Sequence, residues 1–218
     1  MIDNEYKRSA NKETYIFDTV VSAFENHTFT LNYQPVVDNK DRLIRGAELL
    51  LSIKDTETGD PINIGAAMQI AHDRNYTSVI AESVLDYIIE LLDHYGYTFF
   101  MSAGLLRLSV NADYGFFEDG KYVQKLSELM LKYKVPAGFI AFEIPESDIS
   151  MYREEYQQIA LNLLAVNSLL VCDQYTGEYM TPIEIMKAGV REIKVSRKLV
   201  LAIEDKEVNE QIMKIWSI

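Results

Sequence analysis

The sequence predicts an α/β fold, a mostly parallel sheet with helices outside it, either open or closed into a barrel. Three observations carry that prediction. Apolar runs of strand length recur along the chain, such as residues 47–51 and 139–144. Stretches with apolar residues at helical spacing lie between them. After an opening hairpin the two kinds of segment mostly alternate, the order that parallel strands require. The 218 residues are 48% hydrophobic, enough to bury a sizeable core. No internal repeat and no Pro/Gly/Ser-rich linker divides the chain, so one domain is expected.

Each element follows from its residues. Positions 1–12 read as a loose polar lead. Residues 13–25 set Ile16, Val20, Val21 and Phe24 at helical spacing. Residues 28–37 (TFTLNYQPVV) read as a strand closed by the turn Asp38-Asn39-Lys40-Asp41, with a second strand over 43–53. A polar loop over 54–61 leads to a helical region over 64–94, broken near Asn75-Tyr76 and carrying the apolar face Val84, Leu85, Ile88, Leu91 and Leu92. Strands are expected at 97–101 and at 105–110, the latter closing on Asn111. A helix over 122–131 precedes a strand over 139–144, stopped by Pro145. A helix over 154–166, a strand over 168–172 ending at Asp173, a short helix over 182–187, a strand over 192–195 and a helix over 205–216 complete the reading.

Composition narrows the function. The formal net charge of -12 argues against a general nucleic-acid surface, which needs basic stripes. It leaves room for a small phosphate ligand held through a metal. The single cysteine, Cys172, allows no intramolecular disulfide and suits a reducing compartment. The start of the chain is polar, without a signal-peptide core, and no apolar run reaches membrane-spanning length. A cytoplasmic protein without a membrane partner is expected.

Five polar residues stand within or at the ends of apolar strands: Glu48, Asn111, Glu143, Asp173 and Lys194. A carboxylate inside an apolar run is costly unless a cation or metal pairs with it. At the C-terminal rim of a parallel barrel, such groups collect as a reactive site. Three carboxylates and an amide are hard oxygen donors, suited to Mg²⁺, Mn²⁺ or Ca²⁺ rather than zinc. The competing reading makes them helix caps and solvated loop acids. His27, His72 and His94 lack metal-ligand spacing, and there is no P-loop, no dinucleotide-binding glycine fingerprint and no GxSxG elbow.

The order and neighbours of these residues carry a resemblance. Tyr33-Gln34-Pro35, Gly46-Ala47-Glu48-Leu49-Leu50, Ser109-Val110-Asn111, Phe142-Glu143-Ile144-Pro145-Glu146, Asp173-Gln174-Tyr175-Thr176-Gly177 and Ile193-Lys194 together resemble the EAL-domain family of cyclic di-GMP phosphodiesterases. The resemblance runs from about residue 28 onward. It implies a modified TIM-like (β/α)8 barrel whose first strand runs against the others. In that family two divalent ions activate a water that opens one phosphodiester. By position it implies Glu48, Asn111, Glu143 and Asp173 as metal ligands and Lys194 as the residue that helps position the water. Gln34, Glu48 and Leu50 are implied as contacts to the nucleotide.

The departures shift the expectation away from catalysis. Ser52 stands where the family's EALLR motif has its arginine, and Cys172 replaces the first of two paired aspartates. Pro145 replaces a threonine, Ser196 an aspartate, and Gln174-Tyr175 alter the DFGTG loop. A neutral thiol is a poor ligand for Mg²⁺. The sequence reads as truncated after the sixth βα unit, where the last two strands of a full barrel would take about 60 further residues. It divides into an N-terminal lead and helix over 1–27 and an incomplete barrel over 28–218. The expected function is a degenerate domain acting in signalling by binding a protein partner or a second copy. A cyclic di-GMP sensor without turnover and a surviving phosphodiesterase are the alternatives. No cofactor is expected, with Mg²⁺ or Mn²⁺ if the site survives, and Lys194 is expected as the internal counter-charge among the acids.

Overall fold

The computed structural model describes residues 2–201 and 210. The helix expected over 205–216 lies outside the described residues. The chain divides into two compact units, one of residues 1–105 and 115–122, the other of residues 106–114 and 123–218.

The first unit opens with α1 (Ile2–Glu25). The polar lead is therefore helical, not loose. Its residues include no Pro or Gly and several strong helix formers, so the helix nucleated by the amphipathic 13–25 stretch propagates backward at little cost. Val20, Ala23 and Phe24 form its buried face, and Phe24 stacks on Phe29 with ring centroids 4.5 Å apart.

Next come β1 (Thr30–Val37) and β2 (Ile44–Ser52), paired antiparallel. The turn between them is built by aspartates. Asp38 accepts the Lys40 N–H at 2.7 Å and Asp41 the Leu43 N–H at 3.0 Å, while Arg42 takes a left-handed φ of 62°. The apolar run over 47–51 is not buried throughout. Ala47 and Leu49 are buried, whereas Glu48 and Leu50 are only half-buried. An antiparallel hairpin packs one face and leaves the other partly open, so its side chains alternate.

α2 (Ile64–Asp73) and α3 (Thr77–Tyr95) are separated at the expected break, where Asn75 adopts φ 55°. Asn63 caps α2 by accepting the Ala66 N–H at 3.1 Å. α4 (Tyr97–Ser102) replaces the strand expected there. The aromatic residues favour a strand locally, but Gly96 at φ 72° closes α3 and restarts the chain in a new helix that buries Phe100 alone.

The chain continues through β3 (Arg107–Asn111), α5 (Tyr114–Phe117), α6 (Lys121–Tyr133), β4 (Ile140–Pro145), α7 (Glu146–Met151), α8 (Arg153–Ala165), β5 (Leu169–Tyr175), α9 (Pro182–Lys187), β6 (Glu192–Val195) and α10 (Arg197–Leu201). In the second unit β3, β4, β5 and β6 are parallel neighbours in sequence order. β4 is its centre: Ile140, Ala141, Phe142 and Ile144 are fully buried, as a strand covered on both faces must be. α8 covers the sheet with Tyr156, Ile159, Ala160 and Leu163. It comes so close to the turn after α9 that a Cβ on Gly189 would stand 2.4 Å from the Cβ of Ala160. Gly189 also has φ 85°, so both space and backbone demand glycine there. β5 does not stop at Asp173. It bulges between Cys172 and Tyr175, with Gln174 at φ 51°, and then resumes pairing with β6.

Among the described residues no helix is long and apolar enough to cross a membrane.

Candidate functional site

Parallel pairing places the polar strand residues of the second unit side by side. Asn111 and Glu143 are register partners on β3 and β4, and Pro145 partners Asp173 on β4 and β5. Lys194 lies on β6, two residues before the strand gives way to α10. Its ammonium donates to Glu143 Oε2 and lies 3.5 Å from Asp173 Oδ1. The Glu143 side chain is 3% exposed, that of Asp173 16% and that of Lys194 36%. A carboxylate this deep is tolerated because a cation and hydrogen bonding accompany it. The structure thus brings Glu143, Asp173 and Lys194 together, with Asn111 adjacent in register and exposed.

In the first unit Gln34 faces Glu48 across the hairpin, and Asn32 faces Leu50. Opposite residues of an antiparallel pair share a face, as do residues two apart on one strand. Asn32, Gln34, Glu48 and Leu50 therefore lie on a single face of β1 and β2, Gln34 exposed and both Glu48 and Leu50 half-buried.

Cys172 is fully buried on β5. Burial, then the charges of Glu146 and Asp173, push its thiol up to about 12. A group that keeps its proton at neutral pH is neither a thiolate ligand nor an activated nucleophile. Asn111, Glu143 and Asp173 are the hard donors that neighbouring strands β3, β4 and β5 carry at this end. Among the described residues no group of three or more His, Cys, Asp or Glu side chains is arranged to hold a metal ion.

Glu146 is the residue that sequence reasoning missed. It is 2% exposed at the start of α7, yet it serves the loop after β5. One carboxylate oxygen accepts the Thr176 N–H and hydroxyl, both at 2.8 Å, and the Gly177 N–H at 3.2 Å. The other accepts the Tyr179 N–H at 3.1 Å and the Met180 N–H at 2.9 Å. Five donors around one carboxylate replace its hydration shell, and such charge-assisted bonds are the strong ones. Its signal in the sequence is an acid directly after a strand-ending proline, where a helix begins. Two residues on, Asp148 accepts the Tyr114 N–H at 3.0 Å and the Tyr156 hydroxyl. Burial, with Asp148 beside it, raises the Tyr156 phenol far above the usual tyrosine range.

A family model described as the EAL domain matches residues 18–216. No curated protein matches the chain by sequence. Among solved structures, the FimX EAL domain from Pseudomonas aeruginosa bound to c-di-GMP superposes with a TM-score of 0.77 at 18% identity, over 93% of this chain and 79% of that one. The Vibrio cholerae LapD S helix-GGDEF-EAL structure bound to c-di-GMP gives 0.76 at 15% identity, over 93% of this chain and 48% of that one. The PaMucR phosphodiesterase in complex with c-di-GMP gives 0.71 at 19% identity, over 87% and 79%. At these identities the likeness is one of fold: the chain has the α/β architecture of the TIM-like barrels in these EAL structures.

Proposed function

We propose, from the premise that this chain belongs to the EAL domain family, that it is a catalytically degenerate member acting in cytoplasmic signalling by binding a protein partner. One observation carries the reading: the Lys194 ammonium pairs with the buried Glu143 carboxylate and sits beside Asp173. In this reading the chain's own ammonium stands where a two-metal site would hold its ions, paired with Glu143 and near Asp173. Two further features agree. Cys172 keeps its proton where the family pattern has an aspartate, and Ser52 offers no cation where the pattern has an arginine. The oxygen donors are hard, but the Lys194 ammonium among them and the protonated Cys172 do not suit a pair of Mg²⁺ or Mn²⁺ ions. The barrel part is assigned to residues 28–218 and the lead to residues 1–27.

A second reading has its own support. Gln34, Glu48 and Leu50 share one hairpin face, and three of the neighbouring structures are complexes with c-di-GMP. In this reading the chain holds cyclic di-GMP without turning it over.

Calorimetric titration with cyclic di-GMP, with and without Mg²⁺, combined with product analysis after long incubation with Mn²⁺, tests both. Neither heat nor product supports the protein-partner reading. Mg²⁺-independent heat without product supports the sensor. Linear dinucleotide accumulating with Mn²⁺ overturns both.

A further inference from the structure

Two backbone donors of the turn that follows β3 are tied to neighbouring elements. The Ala112 N–H donates to the Glu143 carbonyl at 3.0 Å, which ties the turn to the end of β4. The Tyr114 N–H donates to Asp148 Oδ2 at 3.0 Å, which ties it to α7. Around the second tie the side chains are packed as a unit. The Tyr114 ring stacks on Tyr152, centroids 4.3 Å apart and planes 11° apart, and meets Tyr156 edge-on at 6.4 Å. Tyr156 is fully buried and donates its hydroxyl to the same Asp148 oxygen. Asp148 and Glu146 lie two residues apart on α7, about 200° around the helix. They therefore serve different neighbours: Glu146 the loop after β5, Asp148 the turn after β3.

Asn111 begins this turn and is the register partner of Glu143. We infer that Asp148 is a positioning residue for Asn111: by fixing the Tyr114 amide against α7, with the Tyr156 hydroxyl holding the carboxylate in place, it sets where the Asn111 side chain stands beside Glu143. The inference rests on the proposed site around Glu143, beside which Asn111 stands as its register partner. It adds a residue whose effect on Asn111 is exerted through the backbone. A group that acts through the backbone acts by orientation, as partners of ligating side chains do.

The test uses the whole chain labelled with ¹⁵N. The side-chain amide signals of Asn111 are identified by their loss in Asn111→Asp. In Asp148→Ala those signals move, and amide exchange of residues 112–114 accelerates about 10- to 100-fold, the effect of losing a hydrogen bond to a charged group. Asp148→Asn, which keeps an acceptor oxygen, restores the signals in part, and Tyr156→Phe gives the same changes at smaller size. Arg107→Gln is the control. It breaks the Arg107–Glu192 pair at the opposite end of β3 and β6, costs stability, and leaves the Asn111 signals in place. Unmoved Asn111 signals in folded Asp148→Ala, or equal movement in the control, overturn the inference. If Asp148→Ala does not fold, Tyr156→Phe decides by the same criterion.

Cyclic di-GMP titration separates this inference from the function it rests on. Where the parent binds the nucleotide, the affinity of Asp148→Ala is compared with that of Arg107→Gln, and Asp148→Ala is the weaker binder. A parent that does not bind it removes the sensor reading, while the Asn111 signals still decide the role of Asp148.

Discussion

Replacing Lys194 with methionine tests the internal cation directly. Methionine keeps most of the length and volume of the side chain and removes the charge. Glu143 is 3% exposed, so its carboxylate then loses the ammonium without gaining full access to water. Breaking a fully buried pair from one side costs about 3–5 kcal/mol. Lys194 is 36% exposed, and water reaching its end of the pair lowers the expected cost to about 2–3 kcal/mol. For a chain of this size that corresponds to a fall in Tm of about 4–12 °C. The assay is a double-mutant cycle in metal-free buffer, with Lys194→Met, Glu143→Gln and the double variant unfolded in urea. The double variant should be more stable than Lys194→Met alone, because a neutral amide needs no cation. The coupling should be about 1–3 kcal/mol at constant m-value. An unchanged Tm in Lys194→Met, or costs that simply add, would refute the internal counter-charge and with it the observation on which the degenerate reading stands.

Three further outcomes follow from the same geometry. Glu146→Gln turns an amide N–H₂ toward backbone donors that now share a carboxylate, costing about 2–4 kcal/mol, and limited proteolysis should cut first between residues 176 and 180; cleavage elsewhere would count against the clasp. Gly189→Ala drives a methyl into Ala160 and strains a left-handed φ, for a loss of about 2–4 kcal/mol by thermal unfolding, partly recovered by Ala160→Gly. The Cys172 thiol is raised from its ordinary 9.0 to about 12. Between those values the unfolded chain releases a proton that the folded chain keeps, so stability is full below pH 9 and falls as pH rises toward 12. Cys172→Ala should lack that alkaline loss, measured as urea midpoints from pH 8 to pH 11. In the native parent the thiol should resist disulfide reagents at pH 8 and react on unfolding.

Much of the architecture is written in local pattern. The helices over 64–73 and 77–95, the break between them, and strands β3 to β6 follow from apolar spacing and turn residues alone. What misleads is local propensity without context. Tyr97 to Phe100 favour a strand and form a helix, because Gly96 restarts the chain after α3. Residues 2–12 look like a loose lead and extend a helix that begins further on. The short helices α5, α7 and α10 have four to six residues, too few to show a period.

The site divides in the same way. The residue types and their places at strand ends are a property of the sequence, because each polar group interrupts its own apolar run. Which of them meet is not. Lys194 reaches Glu143 across 51 positions of chain, and Glu146 gathers donors from 30 to 34 positions away. A single sequence records no preference among such distant pairs. Parallel registry and the bulge at Asp173 bring those particular groups within hydrogen-bond reach, and burial then makes a carboxylate seek any donor that the fold supplies. The order of strands and the chemistry they carry came from the chain itself, while the pairing of charge with counter-charge came only from packing, where distance and exclusion of water decide what each group costs.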